Sequence, residues 1–324
     1  IRVADQHCRI TSSIGIAVSK TGYDRPEHLL RDANTALVQA RSQGGDRHEM
    51  FDRKMQWQAE ERLKLESDLR QAVDRLEFTA FYQSIVSAAD ESLEGFEALI
   101  RWNHPQRGML HPAQFLSICE QTGLIVPVGA EVLRVAAEQA HRWHEMHPAL
   151  GQLTLNVNLS ARQIAEPDLV DSVAQILKET HLDPSLLRID ITEDLLVQKL
   201  ESTLDTLKAL RDLGLRLGLD GFGTGYSSLS HLHRLPIEYL QIDRSFVQRL
   251  ETDEEAWDIV SLVVTMARHL KLRTIATGVE TREQANLLRN LEVDSMQGYL
   301  FSRPVDADQA TAILEENLIA LRSS

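Results

Sequence analysis

From residue 78 onward two hydrophobic patterns alternate along the chain. Short runs place apolar residues at every second position or continuously, at 78–86, 93–102, 153–159, 187–192, 215–220, 239–242, 273–277 and near 295–300. That period predicts strands. Between them, apolar residues recur every third and fourth position at 112–121, 127–144, 168–180, 200–212, 256–270, 282–291 and 307–319, which predicts helices. Eight strands interleaved with helices over roughly 245 residues are the count expected of a TIM-like (β/α)8 barrel. The clearest segment begins Leu215, Leu217, Leu219 and then places Asp220 at the strand's carboxyl end. A glycine-dense stretch follows to Leu229, where Ser227 or Ser228 can cap the next helix. An acid in that position is where a parallel barrel puts its chemistry. Polar residues recur at other strand ends: Asn158, Asp190, Glu193, Asp243, Thr277 and Gln297. A doubly wound sheet also fits the alternation but gives no reason for this ring of polar ends.

Residues 1–53 predict a small α+β unit. Positions 9–18 alternate like a strand, with Ile10, Ile14, Ile16 and Val18 apolar. A turn at Tyr23 to Pro26 leads to a helix over 27–42, Gly44-Gly45 stops it, and 47–51 suits a short strand. Residues 54–77 predict one charged helix without Pro or Gly. Its stripe is Leu63, Leu65, Leu69, Val73 and Leu76. A linker helix docked on the next domain and a signalling or dimer helix both suit that pattern.

Composition narrows the function classes. A net charge of −14 over 324 residues argues against a general nucleic-acid binder, because phosphate contacts need a basic face. The only cysteines, Cys8 and Cys119, are too few for a disulfide framework and fit a reducing, cytoplasmic setting. No apolar run approaches the roughly 20 residues of a membrane span. The chain opens at Ile1 rather than Met, so we read it as part of a longer protein, in which any upstream sensor domain or membrane anchor would lie outside this sequence. His141, His144 and His147 are spaced by three near a helix end, which could suggest a metal site; without a carboxylate or cysteine partner at hand they read as a solvated helix face.

Two resemblances follow. Ile10-Thr11-Ser12-Ser13-Ile14-Gly15-Ile16-Ala17 and Leu30-Arg31-Asp32-Ala33-Asn34-Thr35-Ala36-Leu37 resemble the carboxyl-terminal third of a GGDEF (diguanylate cyclase-like) domain. Gly44-Gly45-Asp46 is not that family's signature, because it follows the last long helix. The stretch from Phe78 to Pro304 resembles the EAL domain, the family of cyclic di-GMP phosphodiesterases. It carries Glu97-Ala98-Leu99, Arg101-Trp102-Asn103-His104-Pro105, Asn156-Val157-Asn158-Leu159-Ser160-Ala161-Arg162-Gln163 and Ile191-Thr192-Glu193. Further along come Phe222-Gly223-Thr224-Gly225-Tyr226-Ser227-Ser228-Leu229, Ile242-Asp243-Arg244-Ser245-Phe246, Gly278-Val279-Glu280-Thr281 and Gln297-Gly298-Tyr299-Leu300-Phe301. The domains expected are therefore a GGDEF-like fragment over 1–53, a linker helix over 54–77 and an EAL-type barrel over 78–324.

The resemblance implies two-metal hydrolysis of a phosphodiester. Its first-metal ligands map to Glu97, Asn158, Asp190 and Asp220, which implies at most one Mg²⁺ or Mn²⁺ here, or none. Asp190 stands where the family has Glu. The second carboxylate of the family's Asp-Asp pair is Gly221, its lysine is Gln241, and the glutamate often assigned as general base is Thr277. Gln83, Leu99, Arg101, Asp220, Gln297 and Phe301 map to positions near the nucleotide. Glu193 and Glu280 map to the support of the glycine-rich loop. A positioned base contributes roughly 10²–10⁴ in rate, so three losses at one centre imply a degenerate site. The expected function is a non-hydrolysing cyclic di-GMP receptor that signals to upstream domains, with a homodimer as a family-level expectation. An interaction scaffold without nucleotide and a weak phosphodiesterase producing pGpG remain the alternatives.

Overall fold

The computed structural model describes residues 2, 3, 6, 7, 11–19, 24–148, 153–193, 200–223 and 232–323. The chain separates into two compact units, residues 1–71 and 72–324.

In the first unit, β1 (Arg2–Val3) pairs antiparallel with β2 (Gln6–His7), and β3 (Ile14–Ile16) pairs parallel with β4 (His48–Met50). Helix α1 (Pro26–Ser42) crosses between β3 and β4. It starts with Pro at its first position, where the missing N–H costs nothing, and buries Asp32, Ala36 and Ala40 at four-residue spacing. The strand expected over 9–18 is much shorter. Among the described residues of that stretch, 14–16 form the strand, and Ile14 and Val18 stay exposed; Arg9, Ile10 and Tyr23 lie outside the described residues. Helix α2 (Arg53–Asp74) buries Leu65 and Leu69, whereas Leu63 is exposed. Leu76, expected on the same stripe, falls past the helix end with φ 54° and is also exposed.

The second unit is a closed barrel of eight strands: β5 (Phe78–Ser87), β6 (Leu93–His104), β8 (Thr154–Leu159), β9 (Leu187–Thr192), β10 (Arg216–Phe222), β11 (Tyr239–Ile242), β12 (Arg273–Thr277) and β13 (Ser295–Gln297). The short β7 (Gly108–Leu110) extends it as a hairpin on β6, an element the pattern did not predict. A parallel barrel was expected, and one strand departs from it: β5 runs antiparallel to both β6 and β13. The link between β5 and β6 is residues 88–92. A parallel crossover needs a dozen or more residues, so so short a link enforces a hairpin. From β6 to β13 the barrel neighbours are parallel, so their carboxyl ends share one mouth.

The surrounding helices are α3 (Pro112–Thr122), α4 (Ile125–Met146), α5 (Ala161–Ile164), α6 (Leu169–Thr180), α7 (Leu200–Asp212), α8 (Arg244–Val247), α9 (Glu254–His269), α10 (Arg282–Asn290) and α11 (Ala307–Ser323). Helix α4 buries Val128, Val132, Ala136 and Ala140 at four-residue spacing. Its Trp143 wedges between Tyr82 and Phe96, with ring centroids 5.0 and 4.9 Å away, and donates Nε1–H to Thr311 Oγ1 at 2.8 Å. Helix α9, capped by Asp253, buries Val260, Val263 and Val264 in one cluster with Ile242 of β11 and Ala276 of β12. These contacts hold the strand ends that carry the polar residues. The three histidines near the end of α4 are not a shared site: His141 faces Glu145, His144 meets the Leu153 carbonyl and His147 faces Glu315.

Candidate nucleotide site at the barrel mouth

Two hydrogen-bonded groups organise the mouth. The first centres on Glu97 of β6. Its Oε1 accepts from Asn158 Nδ2 at 2.6 Å and its Oε2 from Gln297 Nε2 at 2.5 Å. Gln297 Nε2 also reaches Gln83 Oε1 at 3.1 Å, and Gln83 Nε2 donates to the Ser302 carbonyl at 2.9 Å. Gln83 and Gln297, implied ligand contacts, are thus buried and tied to Glu97.

The second group closes around Asp190 of β9. Asn156 Nδ2 and Gln241 Nε2 donate to Oδ2 at 3.1 and 2.5 Å, and the Tyr239 hydroxyl donates to Oδ1. Asp190 is 1% exposed. Burial raises its pKa to about 7, against those donors and with the help of nearby Asp220 and Glu97. Burial likewise raises Glu97 and Asp220 above the ordinary carboxylate range. Gly218 makes the group possible. A Cβ there would lie 2.1 Å from the Tyr239 ring and 2.7 Å from Asp190 Oδ1. Gly218→Ala is expected to push the ring off Asp190 and cost about 2–4 kcal/mol, read as a lower urea midpoint; an unchanged midpoint would show that the ring has room to move.

Arg101 of β6 is the cation of the mouth. It is 6% exposed, its Nη1 donates to the Ile100 carbonyl at 2.8 Å, and its guanidinium lies 5.1 Å from the Phe81 ring centroid. Its Nε is buried with no hydrogen-bond partner. Burial lowers its pKa, and Tyr299 and Glu97 offset this; an arginine nonetheless stays charged. Tyr299 is half exposed and carries Arg303 on its ring at 4.5 Å. Leu99, Asn158 and Asp220 line a cavity of about 280 Å³ whose other walls include Leu116, Val132 and Val157. Phe301 packs beside the cluster containing Phe246 and Met296. Glu193 Oε2 accepts from Gly223 N at 3.3 Å, and Glu280 Oε1 accepts from Gln248 Nε2 at 3.3 Å. Thr224 to Leu229, with the expected caps Ser227 and Ser228, lie outside the described residues.

The three departures from the family pattern have distinct local roles. Gly221 has φ 71° at a register irregularity of β10 against β11, a region that favours glycine. Gln241 supplies Asp190 with a neutral donor where the resemblance puts an ammonium. Thr277 Oγ1 donates to the Ile242 carbonyl at 2.9 Å. The donor chemistry fits one hard cation through Glu97, Asp220 and the Asn158 oxygen. Asp190 fits less well, since both its oxygens already accept from protein donors. Among the described residues no cluster of three or more His, Cys, Asp or Glu is arranged to hold a metal.

Sequence reasoning missed Asn156, Tyr239 and Tyr299 as site residues. Asn156 and Tyr299 stand inside quoted motifs without a role. Tyr239 opens a strand and reads there as ordinary core.

Comparison with known proteins agrees with this arrangement. The family model described as EAL domain matches residues 66–304. The chain is 40% identical over 311 residues to the bifunctional diguanylate cyclase/cyclic di-GMP phosphodiesterase MucR of Pseudomonas aeruginosa, covering 96% of this chain and 45% of that protein. It is 36% identical over 313 residues to the cyclic di-GMP phosphodiesterase NbdA of the same organism, covering 97% and 39%. The chain thus spans less than half the length of these curated relatives. A solved structure of the PaMucR phosphodiesterase in complex with c-di-GMP superimposes with a TM-score of 0.73 at 42% identity, covering 76% of this chain and 99% of that one. With a matched model over most of its length and a barrel that holds the motif residues at one mouth, this chain belongs to the EAL-domain family.

Proposed function

We propose that the barrel binds cyclic di-GMP at its mouth without hydrolysing it and passes occupancy to neighbouring domains of a longer protein. The observation that carries this is the closure of Asp190: Asn156, Tyr239 and Gln241 satisfy both its oxygens, while Arg101 keeps a buried Nε without a partner. A guanidinium so placed suits a phosphate oxygen. Tyr299 offers an exposed aromatic face for a guanine. A cation held by Glu97 and Asp220 would neutralise phosphate charge when bound. The protein's own contribution is to orient the ligand through Arg101 and to hold Glu97 with Asn158 and Gln297. Thr277 has no carboxylate to serve as a base, and its hydroxyl is committed to a backbone carbonyl. Residues 1–53 are read as the end of a GGDEF-like domain, supported by the strand–helix–strand order of β3, α1 and β4. The retained acids Glu97 and Asp220 favour slow hydrolysis to pGpG as the second reading.

Calorimetric titration with cyclic di-GMP in Mg²⁺ and then in EDTA tests this. Saturable binding is expected in both, with the ligand intact afterwards. Arg101→Ala is expected to weaken it by about 30-fold or more, because truncating a desolvated charge contact costs about 2–5 kcal/mol. Absence of binding in both buffers would leave a protein-interaction scaffold, and conversion to pGpG would establish the hydrolytic reading.

A further inference from the structure

The opposite end of the barrel carries a second cavity. Strands β9 to β13 enter it through Arg188, Arg216, Tyr239, Arg273 and Ser295, each the first or second residue of its strand. The cavity measures about 280 Å³, and Lys271, in the turn before β12, also lines it. Two of its cations are engaged: Arg216 faces Glu238 at 3.9 Å, and Arg273 pairs with Glu94 at 2.9 Å and reaches Ser295 Oγ at 3.3 Å.

Arg188 differs from these. It is 6% exposed, and its Nε is buried without a hydrogen-bond partner. Glu238 and Glu94 pair with Arg216 and Arg273 instead. The partner Arg188 has is the Tyr239 ring, whose centroid lies 5.3 Å from its guanidinium carbon. A cation–π contact returns about 2 kcal/mol when desolvated, whereas removing an ion from water costs several. Burial, with the nearby Arg273 and Arg216, lowers its pKa, and Tyr239 and Glu94 offset this only in part. A buried arginine aimed into a cavity with three further cations around it lacks an anion.

We propose that this end of the barrel is a binding site for a phosphoryl group, distinct from the nucleotide mouth. Four cations, Arg188, Arg216, Lys271 and Arg273, line the cavity, and Glu238 is the single carboxylate among the lining residues, a local excess of positive charge suited to an anion; Glu94 and Asp183 lie beside Arg273 and Arg216 outside the lining. Planar guanidinium groups match phosphate oxygens in pairs. Tyr239, Ile237 and Ile275 form apolar walls that exclude water and strengthen the contact. The volume sits at the small end of ligand pockets. It suits inorganic phosphate or a small phosphate monoester and is too small for a cyclic dinucleotide.

The test is calorimetric titration of the purified chain with inorganic phosphate, and separately with methyl phosphate, at fixed ionic strength against chloride. Saturable binding with one site per chain is expected; the ratio of the two affinities then shows whether the site prefers the free ion or an ester. Arg188→Met is expected to weaken phosphate by about 10-fold or more and to raise the thermal midpoint in phosphate-free buffer, because it removes an unpaired buried charge. Arg101→Ala is expected to leave the phosphate titration unchanged, which separates this site from the mouth. If Arg188→Met does not fold, the exposed Lys271→Gln gives the second reading, with weakened phosphate binding expected. No saturable heat at millimolar phosphate, equal stabilisation by chloride, or unweakened phosphate binding in whichever of these two variants folds would each overturn the proposal.

Discussion

The triple change Gly221→Asp, Gln241→Lys and Thr277→Glu is expected to raise cyclic di-GMP hydrolysis in Mg²⁺ or Mn²⁺ by roughly 10²–10⁴ over the parent chain. The three positions lie on β10, β11 and β12, neighbouring strands whose carboxyl ends meet at the mouth. Each change has a local cost. At φ 71° position 221 disfavours most side chains, although Asp is among those that tolerate this region best. A lysine at 241 replaces the amide donor to Asp190 by an ammonium, which also opposes the upward pKa shifts of Glu97 and Asp220 and favours their ionised forms. A glutamate at 277 gives up the hydroxyl bond to the Ile242 carbonyl and supplies the missing carboxylate. Because residues acting at one centre are not additive, the single changes are expected to do little. Turnover assays on the triple variant, with ligand binding checked in parallel, decide the matter. A folded, ligand-binding triple variant without turnover would mean that these three positions are not what limits hydrolysis.

Asp190→Ala is expected to destabilise the barrel by about 3–5 kcal/mol, because each buried donor left unsatisfied costs about 1–3 kcal/mol. The substitution strands three donors, from Asn156, Tyr239 and Gln241, in an interior where none reaches water. Tyr239→Phe removes one donor and leaves the carboxylate two, so a smaller loss of about 1–2 kcal/mol is expected. The double variant should cost less than the sum, because the residues share one group. Urea unfolding of the four proteins measures this. Additive losses would show that the tyrosine hydroxyl and Asp190 act independently.

Much of the barrel was legible from pattern. Alternation in β10, ending in Asp220, and the three-to-four spacing in α4 each report a local rule that the tertiary structure keeps. The motif blocks likewise carry the family, since Glu97, Asn158 and Asp220 stand in order along the chain. The direction of β5 was legible only in part. Its five-residue link to β6 forbids a crossover, but the hydrophobic count is the same for either direction.

The sequence by itself determined the order of elements and the residue types lost from the family's centre, because periodicity and motif spacing are properties of neighbours along the chain. Tertiary structure alone decided what replaced them. Gln241 reads as a missing lysine in the sequence, and only the approach of β9 to Tyr239 of β11 across Gly218 makes it a donor to Asp190. In the same way Arg188 has no role in the sequence pattern, and Asp190 reads there as a strand-end acid and implied metal ligand. Barrel closure turns both inward, burying Asp190 beside three donors and leaving Arg188 without an anion. The reason is geometric: which polar groups meet in a closed barrel depends on strand register, and register couples residues dozens of positions apart.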